Sequence, residues 1–150
     1  MIDEIDKKIL RLLQSNSKTS NAVIARSLNM APSSVFERIK QLEAKGIITG
    51  YSAKLNCDHL GCSQIAFLFV RSEDRIGTIT TAEKISKIPE VQEVHHVAGE
   101  DCYLIKVRVA NNRALADLMK NQFGKISSIT STKTTIVLET LKETSDIKII

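Results

Sequence analysis

Apolar positions recur with helical spacing through the first third of the chain, and with a mixture of strand and helix spacing thereafter. In residues 2–14, Ile5, Ile9, Leu12 and Leu13 share one face of a helix. Asp3, Glu4 and Asp6 fall in its first turn, where they complement the helix dipole. The polar run 15–19 breaks the pattern. Ser20 then caps a second helix over 21–28, burying Ala22 or Ala25 with Val23, Ile24 and Leu28. Asn29 tolerates a left-handed backbone and supplies a tight turn. A third helix spans 31–43, opened by Pro32 and closed by Lys45 and Gly46. Val35, Ile39 and Leu42 stripe its apolar face; Ser33, Glu37 and Lys40 fall opposite, with Ser34, Phe36, Arg38 and Gln41 toward the flanks. Two short helices, a tight turn and a third helix predict a helix-turn-helix. Residues 46–55 are β-prone and read as a hairpin wing or a strand leaving the domain.

Residues 56–61 are short and polar, the best linker in the chain. Beyond them, the apolar run 64–70 predicts a strand covered on both faces. A helix follows over 78–88, with Ile79, Ala82 and Ile85 inward and Pro89 as its stop. Residues 91–98 read as a strand ending at Gly99. Residues 102–109 alternate, with Tyr103, Ile105, Val107 and Val109 on one side. Asn111 or Asn112 caps a helix running to Phe123 with Leu115, Leu118 and Met119 inward, and 126–141 is a long final strand. The order β-α-β-β-α-β is that of a ferredoxin-like domain. The predicted class is therefore α+β: a winged helix-turn-helix over 1–55, a linker over 56–61 and a ferredoxin-like domain over 62–150. The tail after Lys142 is expected to be loosely held. Helices on one face of a four-stranded sheet leave the other open, so apolar side chains there call for a second copy of the chain.

Charge sharpens the division. Residues 1–55 hold nine Lys/Arg against five Asp/Glu, and residues 56–150 hold twelve of each. The whole net excess of +4 thus lies on the helix-turn-helix, where double-stranded DNA is the natural polyanion. No apolar run reaches the roughly 18 residues of a membrane span, the start is acidic and unlike a signal peptide, and three scattered cysteines suit a reducing compartment. A cytoplasmic protein without a membrane partner is the expectation.

The residues in this order resemble the Lrp/AsnC family of leucine- and asparagine-responsive, or feast/famine, transcription regulators. The resemblance is carried by Asp6, Ile9 and Leu10; by Ser20 and Ala25; by Ser34, Val35, Arg38, Ile39, Leu42 and Glu43; and by Gly46, Ile47 and Ile48. In the second half it is carried by 88–107 and 134–142, so it covers nearly the whole chain. It implies a regulator that reads double-stranded DNA as a homodimer, often assembled to an octamer, and that responds to an amino-acid effector at a subunit junction. The third helix would present Ser33, Ser34, Glu37, Lys40 and Gln41 to the groove, with Arg38 at its edge contacting phosphate or bracing the helix through Glu37 or Glu43. The effector would meet the turn Ala98, Gly99, Glu100, Asp101, Cys102 and Tyr103, and Thr135, Ile136 and Val137 of the last strand. Cys102 stands where many members carry Asp, and Ala31 where Ser is usual, which removes a helix cap worth about 1 kcal/mol.

Other chemistries fare less well. Cys57, His59 and Cys62 have spacing that invites a metal, with His95 or His96 as a further ligand, but zinc sites usually show paired cysteines and a clear fourth ligand. A nucleophilic Cys102 would take a histidine as its base, but nothing else in the chain suggests a nucleophile's surroundings, and a small buried thiol is the plainer reading. There is no phosphate-cradling glycine loop and no catalytic carboxylate pair, so neither a cofactor, a metal nor an enzymatic activity is expected. An architectural protein that compacts DNA with little sequence choice is the rival to a specific regulator.

Overall fold

The computed structural model describes residues 2–75, 77–99 and 102–150, and the chain divides into two compact units. The first comprises residues up to Lys54 together with Glu143–Ile150, and the second Leu55–Lys142.

The first unit is built on α1 (Glu4–Ser15), α2 (Asn21–Leu28) and α3 (Pro32–Ala44). Helix α1 starts in a capping box: Asp3 Oδ1 accepts from the Asp6 amide at 2.8 Å and Asp6 Oδ2 from the Asp3 amide at 3.2 Å. Ser20 caps α2 through the Val23 amide. Asn29 sits in the left-handed region at φ 53°, and the Met30 amide reaches back to Ala25 O at 2.9 Å. That six-to-one bond turns the chain from α2 into α3. The apolar stripes meet in one core of Ile9, Leu13, Ile24, Ala25, Val35, Ile39 and Leu42. Val23, expected inside, is exposed, because the helix turns Ile24 and Ala25 to the core. Residues 46–55, expected as a wing or an exiting strand, carry no strand pairing, and among the described residues the first unit holds no strand to lie beside them. Two strands without further neighbours are marginal in water.

The last eight residues also depart from expectation. They belong to the first unit and are tied to α1. The Gln14 side chain donates to Ile147 O at 2.8 Å and accepts from the Ile147 amide at 3.1 Å, and Arg11 Nη2 donates to Ile149 O at 3.0 Å.

The second unit holds β1 (Gln64–Ser72), α4 (Thr80–Ile85), β2 (Val91–His96), β3 (Tyr103–Val109), α5 (Asn112–Asn121), a short 3-10 turn (Phe123–Lys125) and β4 (Ile129–Ile136). The strands form one antiparallel sheet in the order β2-β3-β1-β4. Ala66, Leu68 and Val70 of β1 and Tyr103, Ile105, Val107 and Val109 of β3 enter the core, together with Ile85, Ile88, Leu115, Leu118 and Phe123. Asn111 caps α5 through the Ala114 amide. Ile79, expected inside, is half exposed, because α4 starts at Thr80, two residues later than expected, and turns Thr81 inward instead. The run expected to be covered on both faces is so on one: Phe67 and Phe69 remain half-buried on the other. Strand β4 is exposed along almost its whole length. No described helix is long and apolar enough to cross a membrane.

Candidate functional site

The surface of α3 follows from how its back is held. Val35, Ile39 and Leu42 are buried, and the N-cap Ala31 offers no side-chain hydrogen bond. Ser33, Ser34, Glu37, Lys40 and Gln41 are all exposed, and so is Phe36. Arg38 behaves differently. Its Nη1 donates to Asp3 Oδ2 at 2.7 Å and to Asp6 Oδ1 at 2.8 Å, so the guanidinium is turned onto the start of α1. This corrects the expected bracing through Glu37 or Glu43: the brace crosses to another helix, and Arg38 is part of the scaffold behind the exposed face. Glu43 instead accepts from the Tyr51 hydroxyl at 2.8 Å. The same carboxylates that cap α1 therefore position α3. The Asp6 amide, then Arg38, hold the Asp3 carboxyl below its usual value, and the hydrogen bonds to Asp3 and Asp6 hold Arg38 above its own. Burial, then Glu43, push the Tyr51 hydroxyl up to about 12.

In the second unit, the turn between β2 and β3 is only partly described. Ala98 and Gly99 are exposed, and Gly99 has a φ of 146°, which L side chains rarely adopt. Glu100 and Asp101 lie outside the described residues. Cys102 is half-buried, with Sγ 3.9 Å from Ser72 O. Tyr103 is not available to a ligand. It is 1% exposed, and its hydroxyl donates to Asp74 Oδ2 at 2.9 Å. Asp74 also accepts from the Thr81 amide at 3.0 Å and the Thr81 hydroxyl at 2.9 Å, and Thr81 Oγ1 lies 2.6 Å from Ser128 Oγ. Burial opposes the charge on Asp74, but the bonds from Thr81, Tyr103 and Ser72 outweigh it and hold the carboxyl below its usual range. Burial, then Asp74, push the Tyr103 hydroxyl up to about 12. The sequence reading missed this Asp74 centre. Its trace is a polar turn composition after β1, which does not say which tyrosine it meets.

Thr135 and Ile136 are exposed, and the Val137 amide donates to Ile65 O at 3.0 Å. The register shows where they stand relative to the turn. Tyr103 is opposite Val70 of β1, whereas Thr135 and Ile136 are opposite Phe67 and Ala66. Three to four residues of strand separate the two segments by about 10–13 Å along β1, with β1 itself between them. Within one chain Tyr103 therefore does not lie beside Thr135 and Ile136.

His95 and His96 alternate across β2, one within 3.2 Å of Glu93 and the other with its ring 5.2 Å from that of Tyr103. Among the described residues no three His, Cys, Asp or Glu side chains are grouped to hold a metal ion.

Comparison with known proteins matches residues 2–49 to a winged helix-turn-helix DNA-binding domain and residues 65–147 to the Lrp/AsnC ligand binding domain. The HTH-type transcriptional regulator FL11 of Pyrococcus horikoshii is 34% identical over 149 residues, spanning 99% of this chain and 97% of that protein. The structure of E. coli AsnC superposes with a TM-score of 0.89 at 27% identity, covering 97% of this chain and 98% of the other. A feast or famine regulatory protein from M. tuberculosis, complexed with L-methionine, gives a TM-score of 0.89 at 29% identity over 98% of this chain and 99% of that one. With both halves matched, in this order and over this length, the chain belongs to the Lrp/AsnC family of DNA-binding transcriptional regulators.

Proposed function

We propose that α3 enters the DNA major groove with Ser33, Ser34, Glu37, Lys40 and Gln41 toward the bases and phosphates, and that the chain acts by binding and not by catalysis. The observation that carries this reading is the exposure of those five side chains on one helix whose opposite face is buried and whose Arg38 is anchored to α1. Serine, glutamine and lysine are side chains that hydrogen-bond base edges and phosphates. In a gel-shift titration, Lys40→Ala is expected to weaken binding to all sequences and to reduce the salt slope by roughly one unit. Ser34→Ala and Gln41→Ala are expected to change the preferred sequence instead. Binding unaltered in all three folded variants overturns the assignment.

The same reading includes a homodimer, assembled further to an octamer, and an amino-acid effector. Exposed β4 and the half-buried Phe67 and Phe69 support a second copy against the sheet. The separation of Tyr103 from Thr135 and Ile136 supports an effector pocket completed between copies, and the L-methionine complex of the M. tuberculosis relative supports an amino acid as its occupant. A thermal-shift screen of the twenty amino acids tests it, since a ligand at about 100 times its dissociation constant stabilises by roughly 2.7 kcal/mol. Gly99→Val is expected to abolish the response and leave DNA binding intact.

A further inference from the structure

Residues 56–61, read from the sequence as a plain linker, form with Cys62 a capped helical turn. Asn56 Oδ1 accepts from the amides of Asp58 at 3.0 Å and His59 at 3.3 Å, which starts the turn. At the other end the Cys62 amide donates to Cys57 O at 3.0 Å and the Gly61 amide to Asp58 O at 3.3 Å, with Gly61 at φ 68°. A six-to-one bond, a five-to-two bond and a left-handed glycine make a Schellman motif. The motif characteristically brings together the side chains of its first and sixth residues. After α2, where the same pair of bonds recurs, those residues are Ala25 and Met30, both packed in the first core. In the 57–62 turn both are cysteines.

The 3.0 Å bond also limits how far apart the two can be. Adding standard backbone lengths to it keeps the two Cα atoms within about 7 Å, at the reach of a disulfide. Both residues are partly exposed and both thiols are free. Burial pushes the Cys62 thiol up, the neighbouring Cys57 sulfur pushes it the same way, and Arg108 acts in the opposite sense. A raised value lowers the thiolate fraction of Cys62, and with it the rate of any first attack by Cys62 on a peroxide.

We propose that Cys57 and Cys62 form a reversible redox site, closed to an intramolecular disulfide by a hydroperoxide and reopened by a dithiol. The Cys57 thiolate attacks the distal peroxide oxygen, the O–O bond breaks, and Cys57 sulfenic acid forms as the leaving oxygen takes up a proton. Cys62 sulfur then attacks the Cys57 sulfur, and the hydroxyl leaves as water with the Cys62 proton. In sum, two thiols and one hydrogen peroxide give one disulfide and two waters.

The test uses the full chain, reduced, desalted and exposed to hydrogen peroxide, then alkylated without reductant and digested with trypsin. Both cysteines fall in the peptide 55–71, whereas Cys102 falls in another. The expected result is a 55–71 peptide lighter by two hydrogens and protected from alkylation, restored by dithiothreitol, with Cys102 still alkylated. In Cys62→Ser, Cys57 should stop at a sulfenic acid that dimedone traps. Gly61→Val separates the turn from mere nearness in sequence. A Cβ there meets nothing within 4 Å, so the substitution acts through the left-handed backbone alone. Disulfide closure is expected to slow about tenfold while circular dichroism stays unchanged. Two alkylatable thiols after peroxide, separate oxidation of each to sulfinic acid, or closure in Gly61→Val at the parent rate would overturn the proposal.

Discussion

At the residue scale the two tyrosines and their carboxylate partners give the clearest expectations. Tyr51 and Tyr103 are the only tyrosines in the chain, and both are pushed up to about 12, by burial first and then by Glu43 and Asp74. An absorbance titration of the folded protein should therefore show no phenolate signal at pH 10, where an unfolded tyrosine is half ionised. For Tyr103 the raised folded value means that its stabilisation is fully present below about pH 10 and is lost as pH rises toward about 12. Asp74 and Asp3 have the opposite sign. Their depressed values stabilise the fold above the ordinary carboxylate range and cease to do so as pH falls through the lowered values. Tyr103→Phe removes a bond to a charged acceptor inside the unit and should cost about 1–2 kcal/mol in urea unfolding. Its melting temperature should also become less sensitive to alkali.

At the scale of elements, local signals were nearly sufficient wherever a cap and a periodic stripe agree. Helix α2 spans the residues expected of it, and α3 differs by one residue at each end. The cap Ser20, the α5 cap to within the pair Asn111 and Asn112, the left-handed Asn29 and the inward set of β3 were all legible, because each depends on neighbours within four residues or on alternation. What failed was long-range. Strand β4 was expected to run to residue 141, yet ends at Ile136, because it is an edge strand whose one neighbour among the described residues, β1, begins at Gln64. Nothing near Arg38 in sequence says that its carboxylates lie 32 and 35 residues earlier. Likewise the exposed face of α3 was legible from its period, whereas the distance between the two effector segments needed the strand register. One element invites improvement. Ala31 holds the extended N-cap conformation, φ −72° and ψ 140°, without a side-chain bond. Ala31→Ser should stabilise the protein by about 1 kcal/mol, read as a higher denaturation midpoint at unchanged slope.

At the scale of the whole molecule, the chain leaves the helix-turn-helix unit after Lys54 and supplies Glu143–Ile150 back to it. Removing those eight residues takes away the two bonds of Gln14 with Ile147 and the Arg11 bond to Ile149. All three are exposed, so truncation after Lys142 should lower the stability of the first unit by only on the order of 1 kcal/mol. Amide exchange in α1 is the measurement that should register it, with α5 unaffected.

The register that parts Tyr103 from Thr135 and Ile136 has a consequence for how a signal would be measured. A ligand that touches both segments would bridge two chains, so wherever free subunits exchange with the assembly its occupancy is of order higher than one in protein. By mass action its half-saturation point falls as the protein becomes more abundant, and dilution makes the same dose less effective. Titrations run at two protein concentrations should give displaced curves, whereas a pocket wholly inside one chain would give superimposable ones. Where subunits exchange with the assembly, a cell that makes more of this regulator also makes it more sensitive.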